Sequence, residues 1–249
     1  MKIHQQILQK KSEGQKQFAI LVDPDKIDNN EIESLCQAAT RFGVDYIFVG
    51  GSLITNGSLS NCIRRIRYAC NLPVVLFPGN GNQVDGQADA ILFLSLISGR
   101  NPDLLIGKQV VSAPIIREKQ LEAISTGYML IDSGNPTTAL YMSNTHPIPA
   151  DKTDIAACTA MAGEMLGMKL IFMDGGSGAK MPVSDEMIRA VRKVIQVPLI
   201  VGGGIRTPEK AAANCKAGAD LIVVGNSLEK DPGILQEMVE AVKKSVSVA

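Results

Sequence analysis

The sequence carries no surplus of charge. Lysine plus arginine number 25 and aspartate plus glutamate number 25, for a formal net charge of zero. Without a basic stripe there is no electrostatic reason to expect a nucleic-acid partner. Any bound anion must then be held locally, by backbone amides, a few cations or a metal. Histidine is scarce, with His4 and His146 the only two, so a multi-histidine metal centre is excluded. The five cysteines (Cys36, Cys62, Cys70, Cys158, Cys215) are odd in number and make no CxxC pair. They read as reduced, partly buried thiols of a cytosolic protein. No apolar run of ~18 residues is present to span a membrane. The opening MKIHQQILQKKSEGQKQ lacks the apolar core of a secretory signal. It reads instead as a short amphipathic helix with Ile3, Ile7 and Leu8 on one face. No GxGxxG follows the first β-rich run, where a dinucleotide-binding fold would need it. These absences leave a soluble, cytoplasmic α/β protein.

What is present is a regular alternation. Of the 249 residues, 45% are apolar and 20% charged, enough for a large core. Short β-rich runs recur at Phe18–Val22, Tyr46–Val49, Val74–Phe77, Ala90–Leu94, Gly127–Ile131, Leu170–Met173, Leu199–Val201 and Leu221–Val224. They are continuously apolar, as parallel strands covered on both faces should be. Patterns of helical period lie between most of them. Glu31–Phe42 carries Ile32, Leu35, Cys36, Ala39 and Phe42 on one stripe, with Asn30 as N-cap and Gly43 past the end. Leu59, Cys62, Ile63 and Ile66 repeat the spacing, as do Ile155, Cys158, Ala162, Met165 and Leu166. Ser184 caps a helix bearing Ile188, Val191 and Ile195. Thr207-Pro208 is a cap and first-turn pair, and a last helix carries Ile234, Leu235, Met238 and Val242. Eight strands alternating with helices predict a (β/α)8 TIM-type barrel, as a single domain over residues 1–249.

One crossover is too short for that ideal. Between Phe77 and Ala88 lies PGNGNQVDGQ, rich in glycine, proline, asparagine and glutamine. A parallel connection with its helix needs a dozen residues or more. The third helix is therefore missing or replaced, which leaves a gap in the outer ring. Such a gap suits a long apolar substrate, although a trimmed loop without function has the same spacing.

Chemistry in a barrel sits at the C-terminal ends of the strands. Those ends read Asp23-Pro24-Asp25-Lys26, Gly50-Gly51-Ser52, Asp174-Gly175-Gly176-Ser177-Gly178, Gly202-Gly203-Gly204-Ile205-Arg206 and Gly225-Asn226-Ser227. Glycines let backbone amides approach an anion closely. One glycine-rich turn could merely close a βα connection, whereas three in succession on the last strands indicate a phosphate site. Asp23 can hold a hard cation such as Mg²⁺, which takes one or two protein carboxylates plus ligand phosphate. The plain alternative is an Asp-Pro turn that caps its own loop. Ser52 offers a second oxygen, or caps a turn. Asp174 can act as general base for a substrate hydroxyl, or can simply orient the glycine loop. Lys26 and Arg206 can face a diphosphate or solvent.

LVDPDK at 21–26, VGGS at 49–52, FMDGGSGA at 172–179, VGGGIRTPEKA at 201–211 and VVGNSLEKD at 223–231 resemble the geranylgeranylglyceryl phosphate synthase family and its bacterial relatives. The resemblance runs in order along nearly the whole chain. It implies a Mg²⁺-dependent prenyltransferase that joins a polyprenyl diphosphate to the 3-hydroxyl of sn-glycerol 1-phosphate. The products are an ether-linked prenylglyceryl phosphate, a membrane-lipid precursor, and diphosphate. By matching motifs, Asp23 and Ser52 take the Mg²⁺ positions. Phe172, Met173, Asp174, Gly175, Gly176, Ser177, Gly178, Gly203, Gly204, Gly225 and Asn226 take the glycerol phosphate positions. The family also implies a replaced third helix and a homo-oligomer.

Two departures stand out. The family often has Tyr-Leu-Glu-Ala where this chain has Phe172-Met173-Asp174-Gly175. The phenylalanine lacks a hydroxyl, and aspartate is one methylene shorter than glutamate. Two other readings share the phosphate loops: an isomerase or cyclase acting on a phosphosugar, and a non-catalytic phosphosugar-binding barrel.

Overall fold

The computed structural model describes all residues except 56, 226, 227, 229–231 and 246–249. Eight parallel strands close into a barrel in sequence order. They are β1 (Gln17–Val22), β2 (Tyr46–Val49), β3 (Val74–Leu76), β4 (Ala90–Leu96), β5 (Glu122–Leu130), β6 (Leu170–Asp174), β7 (Leu199–Gly202) and β8 (Leu221–Val224). The barrel closes where β1 pairs with β8, Gln17 opposite Leu221 and Ile20 opposite Val224. Every strand predicted from its apolar run is present. The largest difference is at β5, whose polar first half, Glu122–Thr126, gave no apolar signal.

Residues alternate between two cores. Ala19, Tyr46, Phe48, Leu92, Ile124, Phe172 and Val223 fill the barrel interior. Ile20, Ile47, Met129, Ile171, Met173 and Val201 face outward, into the layer shared with the helices. The helices of that layer are α2 (Asn29–Phe42), α3 (Leu59–Ala69), α4 (Lys108–Glu118), α6 (Thr153–Met165), α7 (Asp185–Arg192), α8 (Pro208–Ala217) and α9 (Leu235–Lys243). A short α5 (Thr138–Ser143) lies over the mouth of β5, and a π-turn, Asp103–Gly107, leads into α4. The predicted caps of α7 and α8 are present, with Ser184 accepting from the Met187 amide and Thr207 from the Lys210 amide. The cap of α2 is not Asn30, because the helix already begins at Asn29. Asp28 takes that role instead. Its carboxylate accepts from the Glu31 amide, and Glu31 accepts in return from the Asp28 amide, both at 2.9 Å. This is a reciprocal capping box.

The helix α1 (Ile3–Ser12) precedes the barrel and seals its N-terminal end. Ile3 and Ile7 join the interior core, whereas Leu8 turns outward and is 40% exposed, against expectation. Glu122 at the start of β5 fixes α1 by accepting from the amides of Ile3 and His4. Ion pairs tie the same end together, Asp45 with Lys10 and Lys243, and Asp220 with Lys16 and Arg192. Charge there supports stability, and the opposite end is left for chemistry.

The stripe predicted for α6 is reversed. Ile155, Met165 and Leu166 are 45%, 79% and 78% exposed, and Cys158 is exposed too. Ala156, Ala160 and Gly163 face the barrel instead. Small side chains let this helix approach the strands closely, so its large residues are left on the outside.

The short crossover behaves as predicted. Residues 77–89 form no helix between β3 and β4. Around the rest of the barrel α6, α7, α8, α9, α2 and α3 pack in succession. The replacement segment runs beside α4, with a Cβ placed on Gly81 lying 3.2 Å from the Lys108 carbonyl oxygen. Among the described residues no helix is long and apolar enough to cross a membrane.

Candidate active site

A groove of about 840 Å³ opens at the C-terminal ends of the strands. Its polar side holds Asp23, Ser52, Asp174, Gly176, Ser177, Gly178, Gly203, Gly204 and Gly225. Its apolar side is formed by Phe77, Leu92, Leu94, Leu96, Tyr128 and Phe172, and extends to Ile91 and Phe93. Leu92 faces the barrel interior, while Ile91 belongs to the outer core. Both faces of β4 therefore line one groove, beside the gap where no helix follows β3, while the π-turn and α4 still pack against the strand.

The glycine loops after β6 and β7 are pressed together. Asp174 pairs with Gly202 across the strands, and the Gly175 amide donates to the Gly202 carbonyl. Gly203 has φ +80°, and a Cβ there would lie 2.5 Å from Asp174 Oδ1 and 2.6 Å from the Gly175 nitrogen. Only glycine meets both demands. Gly176 and Gly178 also have positive φ, at +85° and +82°. Lys26 and Arg206 join this side from opposite flanks. The Lys26 ammonium pairs with Asp23 Oδ2 at 3.0 Å and reaches Ser177 Oγ at 3.4 Å. Arg206 is turned back onto its own scaffold, donating to the carbonyls of Ala179 and Lys180.

Asp23 and Ser52 sit at the ends of paired strands, Val22 opposite Val49. A Cβ on Gly51 would lie 2.9 Å from Asp23 Oδ1, so this carboxylate rests against the backbone next to Ser52. Asp23 Oδ1 also accepts from the Asp25 amide at 3.1 Å. Asp25 itself serves the adjoining loop, accepting from the amides of Thr55 and Gly57. Among the described residues no three of histidine, cysteine, aspartate and glutamate gather into a metal cage. The donors at this corner are one carboxylate and one hydroxyl, hard oxygens suited to a magnesium ion that keeps waters and shares ligand phosphate.

Asp174 ends β6 and is 7% exposed. Its Oδ1 accepts from the Gly176 amide at 2.7 Å, and its Oδ2 from the Tyr128 hydroxyl at 2.7 Å. Burial holds its carboxyl above the usual carboxylate range, and the two hydrogen bonds pull it partly back. Burial first, then the nearby Asp174 charge, pushes the Tyr128 phenol well above its ordinary value. The bond to Gly176 shows that Asp174 does orient the glycine loop, while its position on the groove leaves it available to a substrate.

Of the expected site residues, Phe172, Asp174, Gly176, Ser177, Gly178, Gly203, Gly204 and Gly225 come together, with Asp23 and Ser52 at the same mouth. Met173 does not join them. Its side chain is fully buried in the outer core, because the alternation that turns Phe172 and Asp174 inward turns Met173 away. Gly175 lies behind the groove, against Ala179 and Met181. Asn226 is outside the described residues. Tyr128 was not anticipated, since its partner Asp174 is distant in sequence and only the register of β5 on β6 joins them.

The PcrB family profile matches residues 6–246. A geranylgeranylglyceryl phosphate synthase from Chitinophaga pinensis is 55% identical over 99% of this chain and 98% of its own length. One from Korarchaeum cryptofilum is 42% identical over 91% of this chain and 94% of its own. The crystal structure of (S)-3-O-geranylgeranylglyceryl phosphate synthase from Thermoplasma acidophilum in complex with sn-glycerol 1-phosphate superposes with a TM-score of 0.91. It is 32% identical and covers 98% of this chain and 99% of that one. A tryptophan synthase alpha chain from Legionella pneumophila, 15% identical with a TM-score of 0.59, shares the fold alone. With a match from residue 6 to residue 246 and relatives aligned end to end, this chain belongs to the PcrB family.

Proposed function

We propose that the protein is a Mg²⁺-dependent prenyltransferase, which joins a polyprenyl diphosphate to the 3-hydroxyl of sn-glycerol 1-phosphate and works in the cytoplasm on a lipid-biosynthetic route. One observation carries the reading: a single groove has glycine-rich amide loops and a carboxylate corner at its mouth and runs out along β4, past the gap left by the missing third helix, between apolar walls. A phosphosugar isomerase has no use for the apolar extension. The amides of the β6, β7 and β8 loops would hold the glycerol phosphate, as helix N-termini and glycine turns hold phosphate generally. Asp23 and Ser52 would hold the metal. When bound, Mg²⁺ supplies stabilisation of the charge gathering on the departing diphosphate.

The chain's own groups do the rest. Asp174 accepts a hydrogen bond from the glycerol hydroxyl and aims it at the first carbon of the prenyl chain. The hydroxyl oxygen bonds to that carbon, the carbon–oxygen bond to diphosphate breaks with its electron pair leaving on diphosphate, and the hydroxyl proton passes to Asp174. Phe77, Tyr128 and Phe172 wall the reacting end with aromatic faces, ring centroids 5.0–5.8 Å apart. They shield the allylic carbon from water.

A homo-oligomer belongs to the same proposal. Ile155 and Met165 on α6, with Leu166 just past its end, form the apolar face that a second copy would cover. The test of the activity is incubation with radiolabelled glycerol 1-phosphate, a series of prenyl diphosphates and Mg²⁺, followed by extraction into an organic phase. Label in that phase with at least one chain length supports prenyl transfer. Label that stays in water with every chain length overturns it.

A further inference from the structure

The hydroxyl that position 172 lacks is present one strand away. Phe172 on β6 lies opposite Tyr128 on β5, and the two rings meet edge to face at 5.6 Å. From that position the Tyr128 hydroxyl donates to Asp174 Oδ2 at 2.7 Å. Phe77, stacked on Phe172 at 5.0 Å, meets the same ring at 5.8 Å and an interplanar angle of 62°. Tyr128 and Asp174 both line the groove, 9% and 7% exposed. The Asp174 carboxylate is thus clamped at both oxygens, by the Gly176 amide and by the phenol. We propose that Tyr128 is a positioning residue for prenyl transfer, its hydroxyl aiming the Asp174 carboxylate at the glycerol hydroxyl. The proposal rests on the reading of Asp174 as general base.

The chemistry requires such a partner. Desolvation favours the protonated carboxyl, and a protonated Asp174 cannot take a proton. A donor on Oδ2 favours the ionised form and fixes its direction. Tyr128 keeps its proton throughout the working range, because its own ionisation is pushed upward by burial and by Asp174. Charged groups on the adjoining loops are engaged elsewhere: Lys26 with Asp23 and Ser177, and Arg206 with the carbonyls of Ala179 and Lys180. Removing the hydroxyl should therefore raise the pH at which Asp174 ionises, without touching the phosphate loops.

The experiment is a double-mutant cycle on the full chain, with Tyr128→Phe, Asp174→Asn and the pair. It reads single-turnover rate against pH and glycerol 1-phosphate affinity. Tyr128→Phe keeps the ring packing and should lower the rate at neutral pH by about 10- to 100-fold, the range of a hydrogen bond to a charged group. The acid limb of its profile should move to higher pH, while affinity changes by less than about 3-fold. On the Asp174→Asn background the same substitution should cost almost nothing, because residues that act through one another are not additive. Losses that multiply, an unmoved acid limb, or a normal rate in Tyr128→Phe each overturn the proposal. A normal rate in Asp174→Asn is a separate outcome. It removes the base, and with it the role given to Tyr128.

Discussion

Gly203 offers a test of whether the contact between the β6 and β7 loops sets the catalytic geometry. In Gly203→Ala the new Cβ would lie 2.5 Å from Asp174 Oδ1, 2.6 Å from the Gly175 nitrogen and 2.7 Å from the Gly176 nitrogen. Ordinary contact begins near 3.4 Å, so the loops must separate by about 0.9 Å. Two of the three obstacles are backbone and cannot rotate away. A misplacement of ~1 Å in a reacting group costs on the order of 100-fold in rate. Left-handed backbone adds about 1–2 kcal/mol for alanine, and the overpacking about 1–3 kcal/mol more. Gly43→Ala, outside the groove, is the matched control. Its φ of +79° is nearly the same, but nothing lies within 4 Å of the new Cβ. It should incur the backbone strain alone, a fall in Tm of about 2–4 °C per kcal/mol for a chain of this size, with a rate within about 3-fold of wild type. The assay is prenyl transfer at saturating substrate, paired with thermal unfolding of both variants. The reasoning fails if Gly203→Ala turns over within about 3-fold of wild type, or if Gly43→Ala loses as much as Gly203→Ala.

Three further expectations follow from the same geometry. Asp23→Ala should lower turnover by on the order of 100-fold or more and abolish its response to Mg²⁺, while calorimetric titration shows glycerol 1-phosphate affinity little changed; near-normal turnover would refute the metal corner. Asp174→Asn should lower the single-turnover rate by ~100-fold or more. The same variant bears on stability, because folding raises the Asp174 carboxyl above its unfolded value, so the native state binds the extra proton. Wild type therefore loses stability as pH rises from the ordinary carboxylate value through the native one, and the asparagine variant does not. Its Tm relative to wild type should climb as pH rises above the ordinary carboxylate value, and a constant difference would refute the linkage. Met165→Glu with Leu166→Glu should reduce the sedimentation coefficient of an oligomeric wild type to that of a monomer; an unchanged coefficient would place the interface elsewhere.

The strands were legible in the sequence because parallel strands buried on both faces leave unbroken apolar runs, and Tyr46–Val49 and Leu221–Val224 were bounded to the residue. The missing third helix was legible from chain length alone. What failed were inferences from apolar periodicity at the surface. In α6 the inward positions are Ala156, Ala160 and Gly163, whose spacing is helical but whose weak hydrophobicity was hidden beside Ile155, Met165 and Leu166. In β6 the two-residue alternation would have excluded Met173 from the groove once Asp174 was placed inward. Tyr128 is a different case. Nothing local distinguishes it from any strand tyrosine, and its importance arises from register between two strands, a long-range property that one strand does not encode.

The missing helix between β3 and β4 has a consequence for how such an enzyme can diversify. In an intact barrel the interior is a closed cup, so fitting a longer substrate means enlarging the space that also spaces the reactive groups. Here the extension lies outside the cup, along Ile91 and Phe93 and beside the segment that replaces the helix. Tail length and reaction geometry become separate modules. Substitutions along the extension can lengthen or shorten the accepted chain without disturbing the spacing of Asp23 from Asp174, which neighbouring loops hold independently. Selection, or an engineer, can retune one without re-solving the other.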